Sequence, residues 1–190
     1  MIVPEQMPLA EIMELLGEGS KGDEAHKVLI AGCGTCVTVC FAGGEKEVGV
    51  LASAIRMMSK MNDQAIEVDE VTVQRQCEWE YIDPLKEQLE EYDAIISLAC
   101  GIGVQAMNER FPDTITLPGL NTTFMGLPEE QGVWEERCQA CGDCLLGITG
   151  GICPIARCSK QLLNGPCGGS QDGICEVDPD VDCAWQMIWD

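Results

Sequence analysis

The sequence predicts an α/β fold, a small parallel Rossmann- or flavodoxin-like sheet domain followed by a cysteine-rich, metal-stapled domain. Three observations carry that expectation. Apolar runs suited to strands alternate with stretches of helical spacing between residues 27 and 118. Three of those strands lead straight into cysteine. Beyond Trp134 the periodicity fades, and residues 138–190 hold eight of the 13 cysteines among many glycines.

The elements follow in order. "PLAEIMELL" (8–16) reads as a short amphipathic helix and "GEGSKGDEA" (17–25) as a flexible linker, so residues 1–24 form an N-terminal segment. "KVLIA" (27–31), ending at Gly32, is the first strand. In "EKEVGVLASAIRMM" (45–58), Val48, Leu51, Ile55 and Met58 fall on one helical face. "EVDEVTVQRQ" (67–76) is the second strand. A second helix in "DPLKEQLEEY" takes Asp83 as N-cap and Pro84 in its first turn. "DAIISLA" (93–99), "GVQAMNERF" (103–111) and "TITLP" (114–118) supply a third strand, a third helix and a fourth strand. This βαβαβαβ order implies a parallel sheet with helices on both faces across residues 25–133. Residues 134–190 are expected to form the cysteine-rich domain.

Composition narrows the function. With 32 acidic against 11 basic residues the formal charge is -21, which argues against nucleic acid as a partner. The acidity serves either solubility or steering onto a basic docking face. No segment approaches the ~20 apolar residues of a membrane span, and the N-terminus has no basic leader, so a cytoplasmic location without membrane insertion is expected. In a reducing cytosol, arrayed cysteines indicate metal more often than disulfides. His26, the only histidine, is expected to be solvated in the linker.

Cys33, Cys36 and Cys40 follow the first strand, Cys77 the second and Cys100 the third. All strand C-termini of a parallel sheet share one edge, where such sheets bind ligands. With strand order 2-1-3 and neighbours about 4.8 Å apart, Cys77, Cys33 and Cys100 would lie over a span that one cluster could bridge. Cys77 and Cys100 are expected as ligands, with two more drawn from Cys33, Cys36 and Cys40. The competing dinucleotide reading of "GCGTCV" is weak. Val37 stands where the third glycine belongs, and Cys77 where a ribose-binding acid belongs. A lone cysteine is most simply a small buried hydrophobe, but that explains poorly three strands each ending in one.

Cys138, Cys141 and Cys144 form C-x2-C-x2-C, the opening of a bacterial ferredoxin motif; Cys153 precedes Pro154 as that motif requires, but after a longer gap. Cys158, Cys167, Cys175 and Cys183 complete eight ligands for two four-coordinate sites. So few apolar residues cannot fold this segment unaided, so metal is expected to staple it. Arg157 and Lys160 either tune a nearby cluster or are ordinary surface charges.

"CGTCVTVCFAGGEKEV", "ACGIGVQ", "PGLNT", "RCQACGDCLLGITGGICPIARCSKQLLNGPCGGSQDGICEV" and "DCAW" together resemble the methylenetetrahydrofolate reductase C-terminal domain family, in its MetV-type small iron–sulfur subunits. The resemblance covers about residues 27–190. It implies an electron-transfer subunit with no catalytic residue or folate site of its own. Such a subunit takes electrons from an upstream donor protein and passes them to a flavin-containing MetF-type subunit. That partner reduces methylenetetrahydrofolate to methyltetrahydrofolate in the reductive acetyl-CoA pathway. The 13 cysteines fit two 4Fe-4S clusters plus one zinc, or three clusters, with one thiol spare in either case. The alternative is a zinc-stapled adaptor that only positions a partner enzyme. Trp134, Trp185 and Trp189 are candidates for docking anchors or for packing around the cysteines.

Overall fold

The structure, a computed structural model, describes residues 1–19 and 26–190; most of the expected linker at 17–25 lies outside the described residues. The chain divides into two units, Ile2–Thr123 and Phe124–Asp190, the latter together with Met1.

The first unit opens with β1 (Ile2–Gln6) and α1 (Leu9–Gly19), then alternates β2 (His26–Cys33), α2 (Cys36–Val39), α3 (Glu45–Met61), β3 (Ile66–Val73), α4 (Trp79–Ile82), α5 (Lys86–Leu89), β4 (Ala94–Leu98), α6 (Gly101–Arg110) and β5 (Ile115–Pro118). The four strands from β2 to β5 form a parallel sheet in the order β3-β2-β4-β5. The expected parallel sheet is therefore present, and the first three of its strands take the anticipated 2-1-3 order.

The central strands are apolar on both faces because helices cover both. β4 is buried at every position, and Val28, Leu29, Ile30 and Ala31 of β2 are wholly enclosed. α3 lies on β2 and β3 through Val48, Leu51, Ala52 and Ile55. Full burial of side chains such as Leu51 and Ile55 is worth about 1.5–3 kcal/mol each. Glu47 accepts a hydrogen bond from the Gly44 N–H at 2.9 Å, closing the first turn of α3. A separate cluster gathers Leu29, Ala31 and Ile95 with Ile82, Leu85, Leu89, Met107 and Phe111.

Several expectations need correction. His26 is not solvated in a linker. It begins β2, pairs with Ile66 and is buried, its N–H donating to the Ala65 carbonyl at 2.8 Å. The helix expected from Asp83 starts earlier, at Trp79, and runs in short pieces with a 3-10 turn at Asp83–Leu85. Pro84 has no N–H and interrupts the i to i-4 ladder there. β3 stops at Val73, leaving Gln74, Arg75 and Gln76 as a connection to Cys77. β1 was not anticipated; it lies beside the start of β6 (Leu120–Glu130), where the Thr123 hydroxyl donates to the Val3 carbonyl at 2.5 Å.

In the second unit, the end of β6 pairs antiparallel with β7 (Val133–Cys138). Two short helices follow, α7 (Pro154–Arg157) and α8 (Ala184–Trp189), set among turns before and between them in which Ala140, Gln161 and Asp172 as well as several glycines take positive φ. No described helix is long and apolar enough to cross a membrane.

Candidate metal centre

All 13 cysteines are free thiols. At the C-terminal edge of the parallel sheet, Cys33 closes β2, Cys77 follows β3 and Cys100 is the N-cap of α6 after β4. The loop after Cys33 is fixed from several sides. The Thr38 hydroxyl donates to the Cys33 carbonyl at 2.7 Å, the Cys33 N–H to the Gly43 carbonyl at 2.9 Å, and the Gly34 N–H to the Val73 carbonyl at 2.9 Å. Gly43 must be glycine, because a Cβ there would run into the Leu98 carbonyl. Opposite, the Gly101 N–H donates to the Thr122 hydroxyl at 2.9 Å, holding the turn after Cys100.

Electrostatics link these thiols. Burial pushes the Cys77 thiol up from its ordinary value, and the neighbouring Cys100 and Cys33 push it further, against a backbone N–H and Arg75 that act the other way. Cys33 and Cys100, at the ends of the two neighbouring strands, thus both bear on the Cys77 thiol. Cys36 and Cys40 pair differently. They sit one helical turn apart along α2. Cys40 is buried, its thiol donates to the Ile2 carbonyl at 3.5 Å, and burial followed by Cys36 raises its pKa.

Two residues absent from the sequence reading stand behind this edge. Gln76 is wholly enclosed and hydrogen-bonded to Ala31, Gly32 and the equally enclosed Ser97. The available signal was a Ser inside the apolar run of β4 and a Gln just ahead of Cys77. A buried polar group requires a partner.

In the second unit the late cysteines separate into two groups. Cys158, Cys167, Cys175 and Cys183 line a single cavity of about 20 Å³, together with Arg157, Lys160, Glu176 and Trp185. Glu176 accepts from the Cys167 thiol at 3.0 Å and from Lys160 at 2.5 Å, and these two contacts, Lys160 foremost, hold its carboxyl below the usual range. The Ser159 hydroxyl, 3.6 Å away, and the Val177 N–H lower the Cys175 pKa, favouring thiolate. Cys138 ends β7, Cys141 and Cys144 lie in the turns after it, all three exposed, and Cys153 is half-buried at the start of α7. Of the candidate anchors, Trp185 is tied in by its indole N–H to the Leu162 carbonyl at 2.9 Å, whereas Trp189 is 86% exposed.

Residues 117–190 match the family described as methylene-tetrahydrofolate reductase C terminal. The match contains all eight cysteines of the second unit and stops short of the strand-edge thiols, which precede it. No curated protein and no solved structure matches the chain.

Among the described residues, no three Cys, His, Asp or Glu side chains stand close enough to hold a metal ion as they are. Any occupant must draw thiols inward. At the strand edge this is feasible for a bulky group, since the donors are all sulfur and the edge is open at Cys77. The cavity among Cys158, Cys167, Cys175 and Cys183 is narrower, with room for about one water-sized sphere.

Proposed function

We infer that this chain is an iron–sulfur electron-transfer subunit of a methylenetetrahydrofolate reductase complex. What supports the reading is the placement of Cys33, Cys77 and Cys100 after three adjacent parallel strands, at the sheet edge where open α/β folds take ligands. The family match of residues 117–190 supports the choice of complex.

Cys33, Cys77 and Cys100 would hold one cluster, with Cys36 or Cys40 as fourth ligand, and Cys138, Cys141, Cys144 and Cys153 a second. A cluster so held supplies one-electron transfer at a potential set by its surroundings. The chain's own residues do the rest. The hydroxyl of Thr38, donating to the Cys33 carbonyl, and the carbonyl of Gly43, accepting from the Cys33 N–H, keep the Cys33 backbone in place. Arg75, ion-paired with Glu78, places positive charge beside Cys77. The small cavity lined by Cys158, Cys167, Cys175 and Cys183 suits a single ion such as zinc, so two clusters plus one zinc is the proposed content. An upstream donor protein and a flavin-containing catalytic subunit are the proposed partners.

The test starts with metal counts on anaerobically purified protein. Cys77→Ala should remove about four irons per chain while zinc stays. Unchanged iron would overturn the strand-edge centre, and a colourless zinc-only protein would leave the adaptor reading. In a mixture with the flavoprotein and its donor, reduction of methylenetetrahydrofolate should depend on this chain. Equal turnover without it would end the carrier reading.

A further inference from the structure

Gln76 directly precedes Cys77 and is wholly buried. Its side-chain amide donates to the carbonyls of Ala31 at 2.8 Å and Gly32 at 3.1 Å, the two residues before Cys33. Its side-chain oxygen accepts from the Ser97 hydroxyl at 2.6 Å. The Ser97 oxygen in turn accepts from the N–H of Ala99, the residue before Cys100, at 3.3 Å. One enclosed amide therefore ties together the segments that lead into Cys33, Cys77 and Cys100, each tie falling within two residues of a thiol.

This arrangement goes beyond what the sheet requires. β2 already pairs with β3 as far as Cys33 and Val73, and with β4 as far as Gly32 and Leu98. An apolar side chain would fill the space without the cost that a primary amide meets if any of its bonds is lost in the interior. The neighbouring helix is shaped to the network as well. A Cβ at Gly103 would stand 2.7 Å from the Ala99 Cβ and 3.1 Å from the Gln76 Cβ, so glycine lets α6 lie against the amide just after Cys100.

We propose that Gln76, acting through Ser97, is a positioning residue for the strand-edge centre and sets the placement of Cys33, Cys77 and Cys100 relative to one another. The proposal rests on the reading that these three thiols form the centre. It concerns their placement in the protein before metal enters, which can be measured separately. Fully satisfied buried networks of this kind fix geometry more sharply than apolar packing does.

The experiment is cross-linking of the full-length, metal-free chain with a short bis-maleimide, followed by peptide mass mapping. Wild type should give Cys33–Cys77 and Cys77–Cys100 products. In Gln76→Leu both should fall severalfold, while products among Cys158, Cys167, Cys175 and Cys183 stay unchanged as an internal control. Ser97→Ala is the milder variant and should lose Cys77–Cys100 while keeping Cys33–Cys77. The double variant Gln76→Leu with Ser97→Ala leaves no stranded hydroxyl, so its thermal midpoint should recover toward wild type while cross-linking stays low. If cross-linking recovers along with stability, or if Gln76→Leu never lowers it, Gln76 is only a core residue and the proposal is overturned. Absence of iron at the strand edge of wild type would end the cluster reading alone, leaving the cross-linking result to stand.

Discussion

In the sheet unit, β4 is buried at all five positions and β2 at seven of eight, and α3 adds Val48, Leu51, Ala52 and Ile55 to the same core. From Phe124 onward the buried residues are only Gly126, Thr149, Pro154, Cys183 and Ala184. Large side chains there face solvent instead, among them Ile148, Leu163, Val177 and Trp189. Two stretches of one chain thus fold under different rules. The first is held by transfer of apolar surface out of water, whereas the second has backbone turns, one hairpin and a set of thiols. The difference teaches that the two units place sulfur in unlike settings: in the sheet unit cysteines sit at the strand ends of an apolar core, and in the second unit they lie where few side chains are buried.

Metal removal should break this contrast most visibly. Metal binding to small domains contributes about 10 kcal/mol or more to folding, so anaerobic chelation should open residues 138–190 to protease while the sheet unit stays resistant. Persistence of a protected C-terminal fragment after complete metal loss would show that packing alone holds it. Next in size is a change confined to the sheet. Ile55 has no exposed surface, and Ile55→Ala should cost about 2–5 kcal/mol, read as a lower denaturation midpoint of the sheet unit with no change in the protease sensitivity of the second.

The smallest expected effect is electrostatic. Asp83 takes Arg110 in a two-pronged contact at 2.5 and 2.9 Å, and Arg110 lies 5.1 Å from the centre of the Trp79 ring. The Arg110 bond holds the Asp83 carboxyl below its ordinary value. A carboxyl with a depressed folded-state pKa stabilises above its unfolded value, near about pH 4, and loses that contribution as pH falls through the lower folded value. Asp83→Asn should therefore be slightly less stable than wild type at neutral pH, by much less than Ile55→Ala because the pair is exposed. The gap should close in acid. A gap that widened below pH 4 would reverse the assigned sign.

The parallel sheet was legible because its strands are buried on both sides and so read as unbroken apolar runs such as "KVLIA" and "DAIISLA". That Cys33, Cys77 and Cys100 follow strand ends at one edge was legible for a related reason, since strand order and parallel direction alone put those positions there. β1, β6 and β7 were missed because their alternation is interrupted by Pro4, Pro128 and several glutamates, and their pairing is set by distant partners. His26 was misread because a single polar residue before "KVLIA" looked like the end of a loop, whereas pairing with Ile66 carries the strand back through it. Gln76 and Ser97 were invisible as a unit because their meeting depends on how β3 and β4 flank β2. The grouping of Cys158, Cys167, Cys175 and Cys183 around one cavity depends on turns with positive φ at Gln161 and Asp172 and at Gly165, Gly168 and Gly173, which spacing does not specify.

The parallel ladder also imposes a timetable. Each strand of the sheet reaches its neighbour only across a long crossover, and such non-local pairings close slowly because loop entropy must be overcome first. Cys33 leaves the ribosome well before Cys100, yet the two belong to a common environment only after β4 has docked beside β2. Cys138, Cys141 and Cys144 are neighbours the moment they are synthesised. During synthesis the later-made thiols are therefore neighbours without waiting for tertiary structure, while the earlier-made ones come to one edge only once the sheet has closed.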